Sequence, residues 1–100
     1  MIHHVVAFRF EDHVTAEAQT QLLNELAELP DRFPSMMRFA MGQNRSERDD
    51  RFTHAFSTEF HDLDTLNAYL TSVEHEAFVR DRFAPRIADR AIVSFNNDWH

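Results

Sequence analysis

The segment Phe52–Leu70, FTHAFSTEFHDLDTLNAYL, passes directly from a strand pattern to a helix pattern. Aromatic and polar residues alternate over Phe52–Phe60, which predicts a β-strand with one apolar face. Asp62 is a typical helix N-cap, so a helix with one apolar side is expected to follow it. The residues of that side are Leu63, Leu66, Tyr69 and Leu70. The segment therefore predicts a sheet strand followed closely by a helix.

Two strands and a helix are predicted before this segment. The first strand is His3–Phe10, HHVVAFRF, in which every second residue belongs to a strongly apolar set. That set is His4, Val6, Phe8 and Phe10. Thr15 predicts the start of a helix and Pro30 its end, because a helix interior does not accept proline. The apolar stripe of this helix is Ala18, Leu22, Leu23, Leu26 and Leu29. Met36–Met41 predicts the second strand.

The C-terminal part supplies a second short helix and a last strand. Ser72 predicts the N-cap of a helix that ends near Pro85, and Ala91–Phe95, AIVSF, predicts a fourth strand. The order is strand, helix, strand, strand, broken helix, strand. This order is typical of an α+β domain with a ferredoxin-like antiparallel sheet and helices on one face. Residues 1–100 are therefore expected to form a single domain.

The alternation of the first strand also predicts an assembly. We interpret the apolar set that begins with His4 as the sheet face without helices, which a second copy would bury. The sequence thus predicts a homodimer through the open sheet face, forming a dimeric α/β barrel. On this interpretation another set of side chains faces the helices. Its members are His3, Val5, Ala7, His54 and Phe56.

The composition argues against several functional classes. The net charge is −7 and lysine is absent, so the chain lacks the basic patch that nucleic-acid binding requires. It has no apolar run near the ~20 residues of a membrane span. The absence of cysteine favours the cytoplasm, and a single glycine excludes a glycine-rich phosphate loop. No histidine spacing typical of zinc occurs, so we expect neither a cofactor nor a structural metal. A hard cation at the subunit interface stays open.

The residues that carry candidate chemistry lie in Asn67–Phe78, NAYLTSVEHEAF. His75 has an imidazole that can act as a general base near neutral pH. Tyr69 is the only tyrosine beside ten phenylalanines, and its hydroxyl can donate to a carbonyl oxygen that becomes an enolate. A structural interpretation, with a locally hydrogen-bonded His75 and a packed Tyr69, stands beside this one.

The quoted segments, together with IHHVVAFRF at the start, EHEAF and AIVSF, resemble the stress-responsive dimeric α/β-barrel (Dabb) family. The resemblance implies a dimeric barrel with a pocket in each subunit. It matches Tyr69 and His75 to the catalytic tyrosine and histidine of a plant member that closes a linear polyketide by aldol condensation. It also matches His3 and His54 to two further pocket histidines. Many relatives carry a His-Pro pair where this chain has Ser72-Val73.

The leading hypothesis is a homodimer whose pocket binds a small apolar carbonyl or aromatic compound. His75 would abstract a proton and Tyr69 would hold the carbonyl oxygen, in a cyclase, aldol or isomerase reaction without a cofactor. The expected substrate-binding residues are His3, His54, Val5, Ala7, Leu22, Leu23, Leu26, Phe56 and Phe78. The alternatives are a non-catalytic stress-response or ligand-binding module, and a cofactor-independent or haem-degrading protein similar to the monooxygenases of this barrel type.

Overall fold

The computed structural model describes residues 1–99. His100, which has no role in the sequence analysis, lies outside the described residues. The main elements follow the predicted order. They are β1 (Ile2–Phe10), α1 (Ala16–Ala27), α2 (Leu29–Arg32), β2 (Met37–Gln43), β3 (His54–Phe60), α3 (Leu63–Leu70), α4 (Val73–Phe78) and β4 (Ile87–Asn96). A π-helical turn, Val79–Phe83, and a 3-10 turn, Ala84–Arg86, connect α4 to β4.

The four strands form one antiparallel sheet in the order β2-β3-β1-β4. The central strand β1 pairs with β3 on one side and with β4 on the other, so that Val6 lies opposite both Phe56 and Ile92. This topology confirms the predicted α+β class and the ferredoxin-like fold. The strand β4 is an edge strand of the described sheet, and it is partly buried near Ile87 and exposed toward Asn96.

Three predicted N-caps start the helices that cover the sheet. Each cap accepts a hydrogen bond from the backbone N–H of the residue three positions later. The hydroxyl of Thr15 caps α1, the carboxylate of Asp62 caps α3, and the hydroxyl of Ser72 caps α4. The prediction that Pro30 ends the first helix was wrong. The helix ends at Ala27, and Pro30 lies in the first turn of α2, where the missing N–H has no helical acceptor to lose.

The predicted assignment of faces was wrong for β1. The set that begins with His4 and continues through Val6, Phe8 and Phe10 is buried on the helix side. His3, Val5 and Ala7 instead lie on the face without helices, because neighbouring residues of a strand point to opposite sides. The large side chains belong under the helices because they fill the volume between sheet and helices. Small residues cannot fill that layer to the packing density of a protein interior.

The assignment for β3 agrees with the structure. His54, Phe56 and Phe60 are buried on the helix side, and Thr58 is buried among them. The core lies between this face and the helices, with fully buried side chains from β1, α1, α2, β3 and α3. Within residues 1–99 no helix covers the other face, whose exposed large side chains include Val93 and Phe95.

Candidate functional site

A cavity of about 140 Å³ lies between the helices and the part of the sheet formed by β1, β3 and β4. Its wall is mostly apolar, with two imidazoles, one phenol and one guanidinium. The lining residues are His4, Val6, Leu26, Leu29, Phe56, Tyr69, Leu70, His75, Phe78, Val79, Phe83, Arg90 and Ile92. The cavity therefore combines a hydrophobic interior with a few groups able to exchange or donate protons.

Tyr69 and His75 meet in the wall of this cavity because the chain breaks between α3 and α4. The helix α3 ends at Leu70, and Ser72 starts α4 by accepting a hydrogen bond from the backbone N–H of His75 at 3.1 Å. The break turns the two side chains toward each other, with ring centroids 4.4 Å apart. The local sequence thus brings together a phenol and an imidazole that a continuous helix would place differently.

The hydrogen bond of His75 fixes its tautomer. Its Nδ1 lies 3.1 Å from the carbonyl oxygen of Leu70. Because a carbonyl can only accept, Nδ1 carries the proton and Nε2 keeps its lone pair in the neutral ring. Burial lowers the pKa of His75, while the Leu70 carbonyl and the charge of Glu76 oppose that shift. The ring is therefore neutral at pH 7, with Nε2 available as a proton acceptor.

Tyr69 is buried, with only 4% of its surface exposed. Burial raises its pKa to about 12. The ring is held by edge-on contact with Phe33, at 4.9 Å between centroids, and by Phe60 at 5.2 Å. A rigidly packed phenol with a raised pKa stays protonated near neutral pH, so it acts as a hydrogen-bond donor.

His4 is a site residue that the sequence analysis missed, since it was placed on the surface or at the interface. It is only 3% exposed, its ring centroid lies 6.5 Å from that of Tyr69, and its Nδ1 lies 2.8 Å from the hydroxyl oxygen of Ser94. Burial, and then the charge of His75, lowers the pKa of His4. Its place in the strongly apolar set of β1 was the signal that indicated burial.

The predicted pocket residues divide into those that line the cavity and those that do not. Leu26, Phe56 and Phe78 line it together with Tyr69 and His75. Leu22 is fully buried in the core, and Leu23 packs partly buried against that core, without lining the cavity. They contribute packing behind the wall. Val6, Leu29, Leu70, Val79, Phe83, Arg90 and Ile92 were not anticipated as lining residues.

His54 does not lie with His4 and His75. It is 9% exposed and packs between Phe8, at 5.7 Å, and Phe10, at 5.5 Å between ring centroids. Its Nδ1 lies 2.8 Å from the Thr53 hydroxyl oxygen, and burial lowers its pKa. It does not line the cavity, so this structure supports a packing position for it.

His3, Val5 and Ala7 lie across the sheet from the cavity, as the reversed faces of β1 require. The ring of His3 stacks on Phe95 at 5.0 Å, and its Nδ1 lies 3.7 Å from the Glu59 carboxylate. These residues therefore belong to the open sheet face. The prediction that they face the helices was wrong for the reason given for the strand.

Within the described residues, no cluster of three or more histidine, cysteine, aspartate or glutamate side chains is arranged to hold a metal ion. No helix among these residues is both long enough and apolar enough to cross a membrane. The chemistry available in the cavity is that of the imidazoles of His4 and His75, the phenol of Tyr69 and the guanidinium of Arg90.

Comparisons with known proteins agree with this fold. The chain is similar to a Dabb family protein with a ferredoxin-like fold from Mesorhizobium loti, with 23% identity, a TM-score of 0.85, and 95% of this chain and 94% of that chain covered. It is similar to a dimeric ferredoxin-like protein of unknown function from Thermobifida fusca, with 29% identity, a TM-score of 0.78 and coverages of 94% and 88%. A hydroxynitrile lyase from Passiflora edulis matches with 20% identity, a TM-score of 0.88 and coverages of 99% and 96%.

The comparison with curated proteins found no match. The family profile described as the stress responsive A/B barrel domain, Dabb, matches residues 2–97. Since that match spans nearly the whole chain, the protein belongs to the Dabb family of stress responsive A/B barrel domains.

Proposed function

We propose that this Dabb domain binds a small apolar carbonyl compound in the cavity and catalyses proton abstraction beside the carbonyl group without a cofactor. The observation that carries the proposal is the contact between the rings of Tyr69 and His75, 4.4 Å apart in the wall of an apolar cavity. A base and a hydrogen-bond donor beside one apolar space are the two groups that enolate formation requires.

His75 is the general base of this proposal. Its Nδ1 donates to the Leu70 carbonyl, so Nε2 is the basic atom, and its lowered pKa keeps it unprotonated at pH 7. A neutral imidazole in an apolar cavity removes a proton from an acidic carbon without first losing one to water.

Tyr69 is the hydrogen-bond donor. When Nε2 of His75 takes the proton from the carbon next to the carbonyl, the electron pair of that bond moves to the carbonyl oxygen. The protonated hydroxyl of Tyr69 then stabilises the enolate oxygen. In an aldol reaction the enolate carbon attacks a second carbonyl, and the imidazolium returns its proton to the new alkoxide. In an isomerisation the proton returns to a different carbon.

The size of the cavity supports a small substrate. A void of roughly 150 Å³ in another apolar core accommodates benzene, so the cavity of about 140 Å³ suits one ring or a branched chain of similar size. A long polyketide would have to extend beyond it, past the exposed edge at Ile92. A lyase reaction on a compact substrate agrees with this size, and one protein of similar fold is a hydroxynitrile lyase.

We further propose that the protein is a homodimer through the open sheet face. The face carries small apolar residues and two exposed larger ones, Val93 and Phe95, at 56% and 49% exposure. Burying such a patch is favourable by about 25 cal/mol per Å². Several proteins of similar fold are described as dimeric, including the one from Thermobifida fusca.

The test is hydrogen–deuterium exchange at the carbon beside the carbonyl. Small aryl and branched alkyl ketones are incubated with the protein in D2O and followed by proton NMR, a measurement that needs no knowledge of the natural product. We expect exchange above the buffer rate that falls about 10²–10⁴-fold in His75→Ala, the range general-base catalysis contributes. The exchange rate of Tyr69→Phe should fall by a similar factor, because this substitution removes the hydroxyl that donates to the enolate oxygen.

The matched control is His61→Gln, which removes an exposed histidine and should leave exchange unchanged. A protein that binds the ketones, seen as a rise in melting temperature, but never exceeds the buffer rate of exchange would be a ligand-binding module. Equal exchange in wild type and His75→Ala would contradict the proposed base.

A further inference from the structure

The cavity wall contains one permanently charged side chain that the proposed reaction does not use. Arg90 lies on β4 opposite Phe8 and lines the cavity, yet it is exposed. Arginine side chains commonly pack their methylene groups along an apolar surface and keep the guanidinium in water. A guanidinium beside an apolar cavity can contact the part of a bound ligand that stays outside the cavity.

The guanidinium of Arg90 has no carboxylate within ion-pair distance among residues 1–99. Other arginines of the same chain are paired, such as Arg82 with Glu25 at 2.6 Å. The adjacent Asp89 does not neutralise Arg90. One of its oxygens accepts from the backbone N–H of Arg90 at 2.9 Å, and the other lies 3.8 Å from Arg51. The free guanidinium is therefore available to an anion.

Arg90 and the hydrogen-bond partner of His4 lie on the same strand, β4. Along β4, Arg90 is four residues from Ser94, which bonds to His4 near Tyr69. Four residues of a strand span about 13 Å, so only a long side chain such as that of arginine extends over part of this distance. A compact molecule with a charged group at one end and a carbonyl at the other matches this arrangement.

We propose that Arg90 is a specificity residue that binds the carboxylate of a small, otherwise apolar acid held in the cavity. This inference rests on the proposed function, for which it names the substrate class. The planar guanidinium matches a carboxylate with two parallel hydrogen bonds. With a net charge of −7, the protein as a whole repels anions, so an acid needs such a local cation to bind.

Two ligands of the same shape test this proposal. Benzoate and benzamide differ in charge but share one ring, which suits the cavity, and their affinities are measured by NMR titration of the full chain. Wild type should bind benzoate at least about tenfold more tightly than benzamide, as expected for hydrogen bonds to a charged group. Arg90→Gln should weaken benzoate by about the same factor and leave benzamide unchanged. Arg48→Gln removes an exposed loop arginine and should change neither affinity.

Three results would overturn the proposal: no benzoate binding to wild type, equal affinity for the two ligands, or an Arg90→Gln variant that weakens both equally. The last would indicate a packing role of the side-chain stem. His75→Ala should keep the preference for benzoate. If the protein shows no ketone exchange but its preference for benzoate depends on Arg90, only the proposed reaction is rejected. If it catalyses ketone exchange but shows no preference for benzoate that depends on Arg90, only the specificity proposal is rejected.

Discussion

Two histidines lie buried on the same face of the same sheet, at different ends, and they have different surroundings. His4 is 3% exposed and His54 is 9% exposed, and burial lowers the pKa of both. His4 borders a cavity together with Tyr69 and His75. His54 is enclosed by Phe8 and Phe10, and its ring nitrogen is bonded to the neighbouring threonine.

The difference teaches that a buried imidazole with a lowered pKa does not by itself indicate a site. At the His54 end, aromatic rings fill the space that a ligand would need. At the His4 end, space remains, and a second imidazole and a phenol border it. Burial lowers the pKa at both ends, but only the end with an open cavity leaves space beside the neutral rings.

The largest expected effect lies at the filled end. Phe8→Ala should lower the free energy of unfolding by about 3–5 kcal/mol, because Phe8 is fully buried against Phe10, His54 and Phe83 and its removal leaves a cavity. Urea unfolding at pH 7.5 measures the change. Val73→Ala, at a position 84% exposed, is the control and should change stability by less than about 0.5 kcal/mol. A loss below about 1 kcal/mol would contradict tight packing around His54.

The next effect concerns the phenol at the open end. Tyr69 has a pKa of about 12 in the folded chain, above its ordinary value of 10. Stability from this group is therefore complete below pH 10 and is lost as the pH rises from 10 toward 12, by about 2–3 kcal/mol in all. The chain has one tyrosine, so tyrosinate absorbance reports Tyr69 alone. The tyrosinate absorbance should reach half of its full change near pH 10 in urea and at a clearly higher pH in the folded protein.

Tyr69→Phe provides the control for this titration. It should remove the absorbance change and flatten the stability profile between pH 10 and 12, while leaving stability at pH 7.5 within about 1 kcal/mol because the ring stays in place. A folded-state titration that coincides with the one in urea would mean that the phenol is solvated and that the cavity end is open to bulk water.

A smaller effect separates the two histidines by their coupling. A histidine whose pKa is lowered by folding stabilises the protein above its unfolded value of about 6.5, and this stability is lost as the pH falls below that value. Each group contributes at most one proton, or about 1.4 kcal/mol per pH unit. His54→Phe should reduce the slope between pH 7 and 5 by up to that amount, since burial alone shifts its pKa.

His4→Phe should reduce the slope further, because the charges of His4 and His75 also oppose each other. Urea unfolding at pH 7, 6 and 5 compares the two variants with wild type. Identical slopes for the two variants would show that His4 and His75 titrate independently, against the close arrangement of the cavity groups.

Local pattern predicted most of the fold and part of the site. Alternation identified the strands, and the caps at Thr15, Asp62 and Ser72 identified helix starts, because these features depend on neighbouring residues alone. The break that joins Tyr69 to His75 was predictable for the same reason. Pro30 was misplaced because proline opens a helix as readily as it prevents one from continuing.

The face of β1 was not predictable from alternation, because both of its sets contain apolar residues and a histidine. Which set lies under the helices depends on the volume that side chains from distant elements leave to be filled. For this reason His4, and not His3 as predicted, lies under the helices, while Val5 and Ala7 lie on the open face. Arg90 was missed for a related reason, since only the register of β4 against β1 brings it to the cavity.

The smallest effect tests what holds His4 toward the cavity. The Ser94 hydroxyl lies 2.8 Å from Nδ1 of His4, on a partly exposed edge strand. Ser94→Ala should cost about 0.5–1.5 kcal/mol, and the imidazole should lose its preference for one tautomer, because the hydroxyl is its only partner within the described residues. Nitrogen NMR of the ring measures the tautomer ratio directly.

The same measurement on His54 is the internal reference, because its bond to Thr53 is unaffected by the substitution. A ratio for His4 that does not change would mean that the aromatic rings around it, rather than Ser94, fix its orientation. The two ends of the sheet would then hold their histidines by the same kind of packing, and the cavity alone would distinguish them.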